Sequence, residues 1–253
     1  MQCKIVIPSY KRADRVISKE ICRDVIICVP ESQTDEYKYY NHDVEIVSHP
    51  DSVIGLPAKR NWMVKHFKEL FMMDDDIQFV HNLMTIKGES SPTKGESSSI
   101  RDKDEIYEII QKLYSLAKLL DVSLFGFGNI PTPMQYTEFE PYKLTNRVNG
   151  CSYGVIYGEN TVWNEDIPLK EDFWISGYVL YKERKILVDN RYHFEQKDTF
   201  VNPGGLSEFR SSQTEMKSIL AIRKYFGESI LMKNKKFHVN KKVKYNISSK
   251  FRI

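Results

Sequence analysis

The chain has 253 residues, 41% of them hydrophobic, enough for one domain with a real core. Its formal charge of +3 is modest but unevenly placed, because no acid follows Glu228 and the last stretch, 233–253, is rich in lysine. No apolar run approaches the roughly 20 residues of a membrane span and no cationic start leads into an apolar segment, while Cys3, Cys22, Cys28 and Cys151 lack metal-binding CxxC spacing; the composition predicts a reducing, cytoplasmic setting.

In chain order, Lys4 to Ile7, Val25 to Val29, Glu45 to Val47 and Leu70 to Met73 are short apolar strands, with Gln33 to Asn41 and Leu56 to His66 polar enough between them to be helices or turns. This βαβ alternation predicts an α/β domain whose binding loops lie at the carboxyl ends of a mainly parallel sheet. Residues 85–101 turn Ser-, Gly- and Lys-rich, with the echo KGESS at 87–91 and 94–98, and predict a mobile loop, either a lid or a plain surface excursion. Ile106, Ile109, Ile110, Leu113, Leu116, Ala117 and Leu120 then recur at helical spacing behind Asp102 or Asp104 as N-cap. Val122 to Phe127 and Ser152 to Tyr157 follow as strands, Lys170 to Tyr181 as a helix or extended segment, and Gln213 to Phe226 as a helix.

The most informative residues are Asp74, Asp75 and Asp76, three carboxylates at the end of the apolar run Leu70 to Met73. Crowded carboxylates call for cationic compensation, and a divalent metal carrying a diphosphate supplies it. Acidic clusters also occur as solvated turns, but the buried strand before this one favours the metal. Strand alternation directs Asp74 and Asp76 to one side and Asp75 to the other. The cationic stretch Pro8-Ser9-Tyr10-Lys11-Arg12, with Arg15 beyond, closes the first strand, and Gly55-Leu56-Pro57-Ala58-Lys59-Arg60-Asn61 opens the helix that feeds the acidic strand.

In the order IPSYKR, GLPAKRN and FMMDDD, the first eighty residues resemble a GT-A glycosyltransferase of the family 2-like pattern. The resemblance implies a single GT-A domain over 1–232, divided into a nucleotide-sugar-binding half (1–84), the loop 85–101 and an acceptor-side half (102–232), with 233–253 as a basic tail. It places Pro8, Ser9, Tyr10, Arg12, Arg15 and Glu31 around the base and ribose, Arg60 and Asn61 near the nucleotide, and Asp74 and Asp76 on the metal, Mn2+ or Mg2+, and the ribose. His193 is a candidate late metal ligand, against the plain alternative of a packed histidine. Glu171-Asp172 is similar to the Glu-Asp pair that such proteins place beside the acceptor hydroxyl, Asp172 being the candidate general base and Glu171 the runner-up; both are equally the acids expected at a helix N-terminus. Gly204 and Gly205 lie in a loop whose backbone approaches the diphosphate or forms an ordinary turn.

The expected activity is transfer of a sugar from a UDP-sugar to a hydroxyl. The small format and basic tail look like the phage TET-associated glycosyltransferases, which implies hydroxymethylpyrimidine in DNA as acceptor; a glycan, a lipid-linked sugar or a protein is the alternative. A nucleotidyltransferase would bring a Gly-rich, Lys-bearing first loop that is absent. A purely nucleic-acid-binding protein would leave the acidic corner without a purpose.

Overall fold

The computed structural model describes residues 2–84, 98–129, 131, 139–197, 205, 210–239 and 242–249. The strands are β1 (Lys4–Pro8), β2 (Val25–Pro30), β3 (Glu45–His49), β4 (Glu69–Met73), β5 (Ile77–Asn82), β6 (Ser98–Ile100), β7 (Leu124–Phe127), β8 (Tyr142–Lys143), β9 (Ser152–Ile156), β10 (Leu187–Asp189), β11 (Tyr192–Gln196), β12 (Ile230–Val239) and β13 (Lys242–Ser249). The α-helices are α1 (Thr34–Tyr40), α2 (Leu56–Phe67), α3 (Lys103–Leu119), α4 (Glu171–Glu183) and α5 (Ser212–Phe226).

An eight-stranded sheet runs in the order β3-β2-β1-β4-β9-β7-β10-β8. Its first four strands are parallel, β9 is antiparallel to both β4 and β7, and β10 is parallel to β7. This is the mixed, mainly parallel sheet expected of the sequence. Burial on both faces explains why the strands read as continuous apolar runs. Ile5, Ile7, Ile27, Phe71 and Met73 pack on one side with Tyr37 of α1 and Ile106, Ile110 and Leu113 of α3. Val6, Ile26, Cys28, Leu70 and Met72 pack on the other with Met63 and Val64 of α2, Ile175 and Val179 of α4 and Ile219 and Ile222 of α5.

Asp102 caps α3 as its sequence position predicts, its carboxylate accepting from the main-chain N–H of Asp104 and Glu105. Residues 171–183, open between helix and extended segment in the sequence, are helical. The second sheet, β11-β5-β6, was not expected; β5 leaves the acidic turn directly, and β11 returns beside it. Most of the anticipated loop, 85–97, lies outside the described residues, but its end, 98–100, is strand β6.

The basic segment read as a tail is different in kind: β12 and β13 pair antiparallel into a hairpin. Ile230 and Ile247 are buried in the core cluster shared with α4 and α5, so the hairpin is anchored to the domain. Its sequence interleaves Lys with Phe237, Val239, Val243, Tyr245 and Ile247, a strand pattern that charge alone obscures. All four cysteines are free and buried, behaving as small apolar groups, and among the described residues no helix is long and apolar enough to cross a membrane.

Candidate active site

The carboxyl ends of β1, β2 and β4 lie side by side, and the loops leaving them build the site. After β4 the chain turns through Asp74, Asp75 and Asp76 into β5. Ser18 pins that turn: its hydroxyl donates to the Asp74 carbonyl at 2.6 Å and accepts from the Ile77 N–H at 2.7 Å. The three carboxylates then separate. Asp75 turns toward the first loop, where its two oxygens accept from the Ser9 hydroxyl at 2.5 Å and from Arg12 Nη1 at 2.8 Å. Asp74 and Asp76 instead share one donor, Gln196 Nε2, at 3.0 and 2.8 Å. Asp75 thus points apart from Asp74 and Asp76, with Arg12 Nη1 also 3.7 Å from Asp76.

The electrostatics of the pair fit a cation. Burial, opposed by Arg60 and reinforced by its acidic neighbours, holds Asp74 well above the usual carboxylate range. Asp76 is pushed up to about 6, again mainly by burial with Asp75 adding to it. Two carboxylates that share one amide donor and that burial keeps from ionising could hold a hard divalent cation, whose shell water and phosphate oxygens would complete. His193 does not join them. Its Nδ1 engages the Gly128 carbonyl at 2.9 Å, its ring lies against His81, and burial lowers its proton affinity. Among the described residues no group of three or more His, Cys, Asp or Glu is gathered for a metal. His193 is thus held at Gly128 and His81 and is not gathered with Asp74 and Asp76 among the described residues.

Arg60 lies deep beside the turn. It is 1% exposed, and its Nη2 lies 3.4 Å from Asp74 and 3.3 Å from Glu171. The same nitrogen donates to the Gly150 carbonyl, and the guanidinium rests over the Tyr153 ring. A single buried cation thus joins the acidic turn to the start of α4. Glu171 is itself buried, and that burial raises its proton affinity against the pull of Arg60. Asp172, one residue on, is half-buried and held by Arg147, whose guanidinium stacks on Phe173. Gly150 leaves room for it, since a Cβ there would stand 3.1 Å from the Asp172 carboxyl carbon.

Asn61 turns away from the site: its amide binds Trp163 through main-chain N–H and carbonyl and reaches Glu165, clamping the 163–165 loop onto α2. Arg15 pairs with Asp14 at the surface, and Glu31 is exposed at the carboxyl end of β2. Pro8 closes β1 opposite Cys28, and Tyr10 follows on the rim, its carbonyl accepting from Gly205 N–H at 3.1 Å. Gly205 adopts φ +55°, and a Cβ there would meet the Arg12 guanidinium at 3.1 Å, so only a glycine fits this position against the cationic loop. Gly204 lies outside the described residues. Gln196, Ser18, Arg147 and Lys59 were not anticipated. Only Lys59 carried a sequence signal, because the buried stripe of Met63 and Val64 places Lys59 and Arg60 on the same helix face one turn earlier.

A mixed, mainly parallel sheet covered on both faces, with a cationic loop and an acidic turn at neighbouring strand ends, defines an α/β protein with a polar crevice at its strand ends. The chain belongs to the TET-associated glycosyltransferases, whose family description it matches over residues 3–205. Among solved structures it is similar to S. aureus TarS (10% identity, TM-score 0.46, covering 77% of this chain and 36% of that one) and to S. aureus TarS 1-349 in complex with UDP (10%, 0.42, 76% and 60%). It is also similar to mannose-1-phosphate geranyltransferase from Thermus thermophilus (10%, 0.41, 78% and 76%). The chain thus spans less than two thirds of the TarS chains it matches. At this level of similarity they bear on neither substrate nor mechanism. Comparison with curated proteins gives no match.

Proposed function

We propose that the protein is a metal-dependent, inverting glycosyltransferase that moves a sugar, glucose or a close relative, from its UDP conjugate to the hydroxyl of 5-hydroxymethylpyrimidine in DNA. The observation that carries this reading is Arg60, whose one nitrogen lies within 3.4 Å of both Asp74 and Glu171. It joins a donor-type acidic corner to an acceptor-type carboxylate pair nearly a hundred residues away in sequence, as a group transfer between two substrates requires. The acceptor is what membership of a TET-associated family implies.

Each residue then has a task. Arg12, fixed by Asp75, presents its positive charge at the end of β1 to the diphosphate. Asp74 and Asp76 would hold Mn2+ or Mg2+, which when bound supplies charge to the departing UDP. Asp172 takes the acceptor proton as its oxygen attacks; Glu171, buried and engaged by Arg60, is less accessible for that work. Arg147 keeps the Asp172 carboxylate aimed. The lysine-bearing hairpin would meet the DNA phosphates.

The test has two stages. UDP release from UDP-glucose, with and without chelator, reports donor chemistry; sugar incorporation into hydroxymethylated and unmodified duplexes, beside a glycan acceptor, reports the acceptor. Metal-dependent release with transfer confined to hydroxymethylated DNA supports the proposal. Release without any transfer to DNA, or transfer to the glycan alone, removes the DNA acceptor, and no release from any UDP-sugar removes the donor.

A further inference from the structure

Lys59 sits in the first turn of α2 and is 6% exposed. Its Nζ donates to the Ser9 carbonyl at 2.7 Å, just past the end of β1, and reaches the Cys28 carbonyl at 3.5 Å, in the last half of β2. Arg12, Arg60, Lys170 and Arg210 are also substantially buried, and each meets a carboxylate. Among the described residues Lys59 forms no ion pair. A buried charge without a counter-ion is costly, so its presence under the strand-end crevice calls for an anion from outside.

We propose that the Lys59 ammonium is the buried counter-charge for the anionic diphosphate of the donor, acting through the Ser9–Arg12 loop rather than by direct contact. This rests on the donor reading above. Lys59 holds the Ser9 main chain, the Ser9 hydroxyl holds Asp75, and Asp75 holds Arg12. Lys59 is thus a positioning residue for the loop as well as a source of field in a wall of low dielectric.

Burial pushes Lys59 down to about 8, with Cys28 and Asp75 pulling weakly the other way. An anion bound above it stabilises the charged form, so binding must take up a proton, and affinity must fall as pH rises through about 8. The neighbouring groups do not mask this. Burial holds Cys28 on β2 at about 11 and Tyr37 on α1 at about 12, while burial and Lys59 together lower His49 on β3 below its ordinary value. Asp75 is engaged by Ser9 and Arg12, and a proton displaced from Asp74 or Asp76 by a cation leaves, which subtracts equally from the exchange measured with and without the Lys59 ammonium, so that the difference between the two proteins isolates Lys59.

The experiment is calorimetric binding of UDP, and in parallel of inorganic pyrophosphate, to the full chain with Mg2+ present, in two buffers of different ionisation enthalpy near pH 8. The expected result is net proton uptake of up to about half a proton, with Kd rising by at most about tenfold per pH unit above that point. In Lys59→Met the uptake disappears and the pH dependence flattens, and in turnover the loss falls on KM more than on kcat. Uptake with pyrophosphate but no binding of UDP upholds Lys59 as an anion counter-charge and removes the UDP donor instead. The same net proton exchange in Lys59→Met as in the unmodified protein, with either ligand, overturns the proposal.

Discussion

At the residue scale, the acidic turn makes two roles separable. Asp76→Asn keeps the bond from Gln196 but removes a charge the cation needs, so metal-dependent turnover of UDP-sugar should fall to background, measured as UDP release. Retained activity in chelator-treated buffer would reject the metal assignment. The same substitution has a signature without metal. Asp76 is raised to about 6, so the folded state binds its proton more tightly than the unfolded chain does. Its contribution to stability is complete below the ordinary carboxylate range and is lost as pH rises through about 6; the melting temperature of Asp76→Asn should therefore lack that part of the decline. Asp172→Asn should cut transfer by about 10² to 10⁴-fold with donor affinity little changed. Glu171→Gln should instead act through stability, because it leaves Arg60 short of a buried partner; an equal kinetic loss from Glu171→Gln in a fully folded protein would move the base to that residue. Asp74, Asp76 and Asp172 were legible in the sequence because short motifs hold them. Gln196 was not: it is a neutral side chain 120 residues from Asp76, brought there only by the pairing of β11 with β5.

At the scale of elements, the strands that read clearly are those buried on both faces. Leu70 to Met73 has no polar interruption, whereas β5 and β11 carry His81, Asn82, Glu195 and Gln196 and lack that signal. Sheet packing also sets a sharp requirement at Gly154 on β9, opposite both Phe71 and Phe125. A Cβ there would fall 2.0 Å from the Phe125 ring, inside a core where neither strand can shift. Gly154→Ala should cost about 1–3 kcal/mol, read as a lowered denaturation midpoint with an unchanged denaturant slope. Gly150→Ala, by contrast, presses first on the Asp172 side chain, at 3.1 Å from its carboxyl. Its effect should be on the order of a tenfold loss of transfer with near-normal UDP release, since small misplacements of a reacting group are expensive. A loss of both activities in equal measure would show that Gly150 serves the fold rather than the placement of Asp172.

At the scale of the whole molecule, the sequence reading of a free basic tail leads to the wrong experiment. Cutting the chain near Phe237 would remove Ile247 from the core beside α4 and α5, so a loss of DNA binding would report unfolding as readily as lost charge. The informative change leaves the hairpin paired and removes charge alone. Lys242 and Lys244 lie in β13, and their replacement by Gln preserves chain length and strand composition. For each phosphate contact given up, the slope of log K against log salt should become shallower by about 0.9 for a duplex, so a double variant should lose up to roughly 2 units of slope. Transfer to hydroxymethylated DNA should weaken through KM, most at high salt, while UDP release without DNA stays at the unsubstituted level, because the hairpin is proposed to meet only the acceptor. An unchanged salt slope with intact folding would assign DNA contact to another surface, and a parallel fall in DNA-free UDP release would mean that the hairpin supports the catalytic domain instead of its polyanionic substrate.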